Sequence, residues 1–127
     1  MSRILVHTDK FFPLLEPTID DIDIEDIAHS LSHQCRFNGH TPVFYSVAQH
    51  CVIVARSLPK PLRLAGLLHD ASETYYSDIP TPLKNLMPEY RAMEDRCHRV
   101  IERRFNLPEG SFDCPEVKMS DLRALVT

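Results

Sequence analysis

The sequence predicts an all-α protein of one domain. Apolar residues recur at helical spacing, as in Ile24, Ile27, Ala28 and Leu31, and this period is typical of an amphipathic helix. No segment shows a convincing strand-type alternation of apolar and polar residues. The 127 residues, 43% hydrophobic and 25% charged, are enough for one domain with its own core. We therefore treat residues 1–127 as a single domain.

Charge and hydropathy exclude several functional classes. A net charge of −4 leaves no basic surplus for binding a nucleic-acid polymer. The apolar runs are too short to span a membrane, and residues 1–10 lack the apolar segment of a signal peptide. The scattered cysteines form no CxxC pair, which favours reduced thiols in a cytoplasmic protein over a disulfide framework. They are Cys35, Cys51, Cys97 and Cys114.

The N-terminal third is predicted to be an irregular arm followed by one helix. Residues 1–23 form the arm, in which Pro13 and Pro17 argue against a helix. The segment from Ile4 to Val6 could form a short strand. The first helix is expected over 24–35, where the apolar period begins.

Two helices are predicted in the middle of the chain. Ser46 and Gln49 have the spacing of a capping box, so a helix should run from 46 to about 58 with His50 in its first turn. A second helix is expected from 61 to 73. It is apolar on nearly every side, which is typical of a central helix.

The C-terminal half is predicted to alternate loops and helices. The elements expected are a loop over 75–82, a short helix over 82–86, a helix over 88–105, a loop over 106–114 and a last helix from Pro115. The last helix should carry Asp121. We expect Val117, Leu122 and Leu125 to face inward on it.

The most informative stretch ends the second middle helix. His69 and Asp70 are adjacent, and Glu73 lies four and three residues further on, so all three share one face if the helix is regular. An apolar segment delivers these groups, and charged groups in such surroundings are rarely left unpaired. A divalent cation is the simplest explanation.

Four residues are the candidate ligands of that cation. They are His50, His69, Asp70 and Asp121, which supply two nitrogens and two carboxylate oxygens from three predicted helices. Mixed nitrogen and oxygen ligation suits manganese, cobalt, iron or zinc, with magnesium kept as a further option, and does not select among them. One ion would connect the three helices.

The order His, His-Asp, Asp gives the chain a resemblance to a known family. The chain resembles the HD-domain metal-dependent phosphohydrolases, and within them most the bacterial 5'-deoxynucleotidases and the phage deoxynucleoside triphosphohydrolases. The matching segments are Arg36-Phe37, Tyr45 to His50, His69 to Glu73, Ser77 to Lys84, and Lys118 to Asp121. The resemblance implies an HD-domain helical bundle with the metal site between central helices. Relatives continue their last helix well past the final aspartate, so we expect the C-terminus at Thr127 to be incomplete.

The resemblance also implies roles for the other site residues. Glu73 and Asp78 correspond to catalytic carboxylates that position or activate water and assist the leaving group. Arg36 corresponds to a phosphate-binding arginine, and Lys84 to a lysine near the phosphates. Phe37 stands where relatives often carry a tryptophan against the sugar or base. The metal ligands are implied to be the same four residues named above.

These considerations predict a hydrolase that removes the 5'-phosphate of deoxynucleotides. Release of triphosphate from a dNTP, a non-catalytic nucleotide-binding HD module, and a cyclic nucleotide phosphodiesterase remain alternatives. The expected partners are a nucleotide and further copies of the same chain.

Ordinary structural roles also remain open for single residues. Asp121 could be solvated, Asp78 could form a turn, Arg36 could face a helix end, and Lys84 could be a surface charge. The other histidines have no partner pattern and are expected on the surface or in loops: His7, His29, His33, His40 and His98.

Overall fold

The computed structural model describes residues 2–125, with the side chain of Leu125 left out. It is mostly helical, which confirms the predicted class at that level. The helices are α1 (Ile24–His33), α2 (Val47–Arg56), α3 (Arg63–Leu68), α4 (Glu73–Tyr76), α5 (Thr81–Lys84), α6 (Pro88–Arg104) and α7 (Pro115–Leu125). None of the helices in this part of the chain is long and apolar enough to cross a membrane.

The N-terminal arm is more ordered than predicted. Strands β1 (Arg3–Leu5) and β2 (Phe11–Pro13) form an antiparallel hairpin in which Ile4 pairs with Phe12. Phe12 is buried and stacks on Tyr75 with ring centroids 3.7 Å apart. Phe12, with the partly buried Ile4, Val6 and Leu14, therefore anchors the arm to the helical core, which is why a segment with weak local signals has a defined structure.

The core lies where α1, α2 and α3 pack together and α6 and α7 close around them. Gly66 permits the close approach of α2 and α3, because a methyl group at this position would lie 3.3 Å from the Cα atom of Ala55 and would collide with the Leu58 side chain. This packing brings the last turn of α3 next to the buried face of α2. The fully buried core side chains include Val54, Leu68, Cys97, Val100, Ile101 and Val117.

The predicted continuous helix over 61–73 is wrong. Helix α3 ends at Leu68, residues 69–72 form turns, and α4 begins at Glu73. The Ala71 N–H donates to the carbonyl of Leu68 at 2.9 Å, and the Glu73 N–H donates to that of Asp70 at 2.9 Å. Bonds over three residues wind the backbone more tightly than an α-helix. His69 and Asp70 therefore lie in a turn between two helices.

Three apolar side chains do not have the predicted burial. Leu122 on α7 is 59% exposed, and Leu64 and Leu67 on α3 are 43% and 39% exposed. Val117 is buried as predicted, whereas the expectation for Leu125 lies outside the described side chains. Helix α3 is therefore half-buried. Among the described residues, other elements cover the side that carries Ala65 and Leu68, and the side that carries Leu64 and Leu67 is exposed.

Candidate metal centre

Three elements bring the four predicted ligands together. Helix α2 begins after Ser46, whose Oγ accepts the Gln49 N–H at 3.0 Å, and this cap fixes the first turn so that His50 points inward. His69 and Asp70 come from the turn after α3, and the Asp121 carboxylate comes from α7. The predicted capping residue and the predicted place of His50 are both confirmed.

The four side chains form one compact cluster. One ligand atom from each residue lies within 4.8 Å of the others. The Nε2 atom of His50 is 2.6 Å from Oδ1 of Asp121 and 3.7 Å from Oδ2 of Asp70. The Nε2 atom of His69 is 3.2 Å from Oδ2 of Asp70 and 3.4 Å from Oδ1 of Asp121. Two imidazole nitrogens and two carboxylate oxygens at these separations could hold a divalent cation.

The hydrogen bond of His69 suits a metal ligand. Its Nδ1 lies 2.6 Å from the carbonyl oxygen of Gly66, so Nδ1–H is assigned as the donor. When the ring loses its other proton, the Nε2 lone pair faces the two carboxylates, where a cation could lie. Histidine ligands are commonly oriented by such a bond from the other ring nitrogen.

Electrostatics in the cluster favour positive charge. Burial lowers the pKa of His69, but the carboxylates of Asp70 and Asp121 outweigh it and raise this pKa to about 9. Burial raises the pKa of Asp121, but hydrogen bonds from His50 and His69 hold it well below its usual range. Protons here occupy positions that a cation could take, so metal binding should compete with protonation.

Arg36 contacts the other side of His50. Its Nη1–H donates to Nδ1 of His50 at 2.8 Å. A guanidinium has no acceptor, so His50 carries its proton on Nε2 and directs it to Asp121. A neutral imidazole cannot bind a cation through Nε2 while its Nδ1 accepts this bond. Metal ligation by His50 and the Arg36 contact are therefore mutually exclusive.

Glu73 and Asp78 lie beside the cluster in a cavity of about 340 Å³. Glu73 is only 7% exposed, and its Oε1 has no hydrogen-bond partner among the described residues. Burial, with the neighbouring Asp70 and Asp78 carboxylates, raises the pKa of Glu73 well above its usual value. Burial and the Asp70 carboxylate also raise the pKa of Asp78, although the positive charge of Arg36 opposes this. The pair can hold a proton next to the metal cluster.

The three predicted substrate-binding residues have different surroundings. Arg36 and Lys84 both line the cavity. The Lys84 ammonium also pairs with the Glu94 carboxylate, at 3.0 Å from Oε1. The Phe37 ring lies under the Arg36 guanidinium, 4.5 Å from its carbon atom, and is not among the residues that line the cavity. The roles of these residues in binding a substrate stay predictions.

Sequence reasoning missed several residues of this region. His98, expected on the surface, lines the cavity, and its Nε2 lies 2.9 Å from Oγ of Ser72. Glu94 is buried at 7% exposure. Its position four residues after Tyr90 and three before Cys97, on the apolar stripe of α6, was a usable signal. Gln34, whose side chain donates to the carbonyl of Glu73, could not be recognised from the sequence, because it is a polar residue at the end of a helix.

Comparison with known proteins identifies one relative that aligns with the whole chain and another that aligns with most of it. No family model matches it. The chain is 45% identical over 127 residues to the uncharacterized protein YfdR of Escherichia coli, an alignment that covers 100% of this chain and 70% of YfdR. The chain belongs to the YfdR family. The chain is also similar to an uncharacterized protein of Rhodobacter capsulatus, 44% identical over 105 residues, an alignment that covers 75% of this chain and 54% of that protein. These names assign no activity, so the function of this YfdR-family chain must be argued from its site.

Proposed function

We propose that this protein is an HD-domain phosphohydrolase that uses a divalent cation to cleave the 5'-phosphoester of deoxynucleotides. One observation carries the proposal. Three members of the four-residue cluster, His69, Asp70 and Asp121, line the same cavity as the buried carboxyl of Glu73. A metal site next to a proton-holding group is what hydrolysis by an activated water requires.

The side chains divide the chemical tasks. A bound cation would lower the pKa of a water molecule and polarise a phosphoryl oxygen. Glu73 and Asp78 would orient that water and hold the proton that it loses, because a raised pKa makes a carboxyl a better proton acceptor. Arg36 would grip the phosphate through its forked donors once it leaves His50.

Charge in the cavity favours a monophosphate over a triphosphate. Its basic side chains are Arg36, Lys84, Arg91 and Lys118, and its acidic ones are Asp70, Glu73, Asp78, Glu94, Asp95, Asp113 and Asp121. Lys84 is already neutralised by Glu94, and Lys118 lies 3.8 Å from Asp113. The acidic side chains outnumber the basic ones even with one divalent cation bound, so the larger negative charge of a triphosphate would be repelled more strongly than that of a phosphate dianion.

Product analysis tests the proposal. The purified protein is incubated with manganese, cobalt, iron, zinc or magnesium and with panels of deoxynucleoside 5'-monophosphates and triphosphates. We expect inorganic phosphate from the 5'-monophosphates and none from the matched 3'-monophosphates. Triphosphate released from a dNTP would establish the alternative activity. Nucleotide binding without either product, under every metal, would contradict hydrolysis and favour a binding module.

Arg36→Ala should weaken substrate binding and leave metal binding intact. Loss of a charge-assisted hydrogen bond costs about 1.5–3 kcal/mol, so KM should rise roughly 10- to 150-fold. Metal affinity should be unchanged or higher, because the competing bond to His50 Nδ1 is gone. Steady-state kinetics and metal titration measure the two effects.

The exposed Arg56 at the end of α2 provides a matched control, and Arg56→Ala should leave KM within about 2-fold of wild type. Arg36→Lys, which keeps the charge and loses the planar fork, should give an intermediate KM. An unchanged KM in Arg36→Ala would assign Arg36 a structural role only.

A further inference from the structure

Gln34 connects the two ends of the segment that carries the candidate catalytic carboxyls. It follows the last residue of α1. Its Nε2–H donates to the carbonyl oxygen of Glu73 at 2.8 Å and to Oγ of Ser30 at 2.9 Å. Its Oε1 accepts the N–H of Asp78 at 3.1 Å. One side-chain amide thus holds the backbone of both residues.

The segment from Glu73 to Asp78 has little conformational stability of its own. Helix α4 has four residues, and a single turn has little stability of its own. Helix α4 is followed by Ser77, whose φ of 71° is a left-handed conformation that residues other than glycine adopt at a cost in free energy. The Tyr90 hydroxyl donates to the carbonyls of Tyr76 and Ser77, each at 2.9 Å. Those bonds secure the end of the turn but do not contact Glu73 or Asp78.

The backbone of Gln34 is tied to the metal-ligand helix. The Val47 N–H, at the first residue of α2, donates to the Gln34 carbonyl at 2.9 Å. His50 lies one turn further along the same helix. Gln34 therefore links the helix that supplies one candidate metal ligand to the backbone of Glu73 and Asp78.

We propose that Gln34 is a positioning residue that sets the placement of the Glu73 and Asp78 carboxyls relative to each other and to the metal cluster. The inference rests on the proposed function for its catalytic consequence. Its structural content, the tether itself, does not depend on that function. The amide side chain is required because the tether uses an N–H donor at one end and an oxygen acceptor at the other.

The experiment compares Gln34→Met with Ser30→Ala as the matched control. Methionine has similar length but lacks both hydrogen-bonding ends. Ser30→Ala removes the neighbouring bonds of Ser30 to Gln34 and to the Thr74 carbonyl and leaves the tether in place. Amide exchange by NMR reports the tether directly. The Asp78 N–H should exchange roughly 3- to 10-fold faster in Gln34→Met, as expected for loss of one neutral hydrogen bond, and at the wild-type rate in Ser30→Ala.

Kinetics then test the positioning role. In metal-loaded Gln34→Met, kcat should fall about 10- to 100-fold, the size of effect that a small misplacement of catalytic groups produces. KM and metal content should stay within about 2-fold of wild type. Ser30→Ala should keep the wild-type kcat. If Gln34→Met does not fold, Gln34→Glu replaces it, since it keeps an acceptor for Asp78 and loses the donor to Glu73.

The possible failures are distinguishable. A wild-type protein without hydrolysis would refute the proposed function, and the exchange of the Asp78 amide would still decide whether the tether exists. Unchanged exchange in Gln34→Met would refute the tether. Faster exchange with an unchanged kcat would overturn the positioning role and leave Gln34 a structural residue.

Discussion

Under the proposed function, Asp70→Ala is expected to prevent metal binding and to abolish turnover. Asp70 is one of two carboxylates in the cluster and approaches both imidazoles, at 3.2 Å from His69 and 3.7 Å from His50. Loss of a residue that hydrogen-bonds to a metal ligand typically lowers metal affinity about 10- to 100-fold. Loss of a direct anionic ligand should therefore lower metal affinity further. Elemental analysis and metal titration measure the loss.

Thermal unfolding gives a second measure of the same variant. A ligand at 100 times its dissociation constant stabilises the folded state by about 2.7 kcal/mol. Added metal should therefore raise the Tm of the wild type and leave that of Asp70→Ala unchanged. The exposed Asp95 lines the same cavity outside the four-residue cluster, and Asp95→Ala should still respond to metal. Equal metal content in Asp70→Ala and wild type would refute the ligand assignment.

Glu73→Gln is expected to retain metal and substrate while losing most turnover. The amide has nearly the same shape as the carboxyl but cannot accept a proton. General acid–base groups typically contribute about 10²- to 10⁴-fold, so kcat should fall by that range with KM little changed. Rapid-mix kinetics and substrate titration separate the two quantities. The variant should also trap bound nucleotide for crystallography.

The stability of metal-free Glu73→Gln provides an independent check. Because the folded state raises the pKa of Glu73, the native protein binds this proton more tightly than the unfolded chain does. Wild-type stability should fall as the pH rises above the unfolded pKa, and the fall should end above the folded pKa. The glutamine variant lacks this loss and should unfold at a higher temperature than wild type at pH 8.

Two results would contradict this role of Glu73. Loss of metal together with activity would make Glu73 a ligand. A kcat close to wild type would leave Asp78 as the better candidate for the proton-handling group. Glu89→Gln, an exposed change in the first turn of α6, should be neutral in each of these measurements.

The features predictable from sequence were those with a local physical signature. Ser46 and Gln49 marked the start of α2 because the cap involves residues three positions apart. The order of His50, His69, Asp70 and Asp121 indicated which side chains would cluster, since candidate metal ligands are few in kind and their chemistry is visible in residue type. The mostly helical class could be predicted from the helical spacing of the apolar residues alone.

The remaining features depend on contacts that are distant in the sequence. The end of α3 at Leu68 is not marked by glycine or proline in the following turn. Gln34 binds residues 39 and 44 positions away, and no local pattern indicates such partners. The exposure of Phe37 under the Arg36 guanidinium likewise depends on how the loop after α1 folds back on the cavity.

The bond between Arg36 and His50 has a consequence for the order in which the site is filled. While Arg36 donates to Nδ1 of His50, one of its five N–H donors is occupied, and Nε2 of His50 is not available to a cation. Under the proposed function, binding of the ion to His50 breaks this hydrogen bond, and the released N–H of Arg36 can then donate to the phosphate. Nucleotide and ion then raise each other's affinity by the same factor, as linkage requires. Nucleotide affinity should therefore be lower in the metal-free protein than in the metal-loaded one.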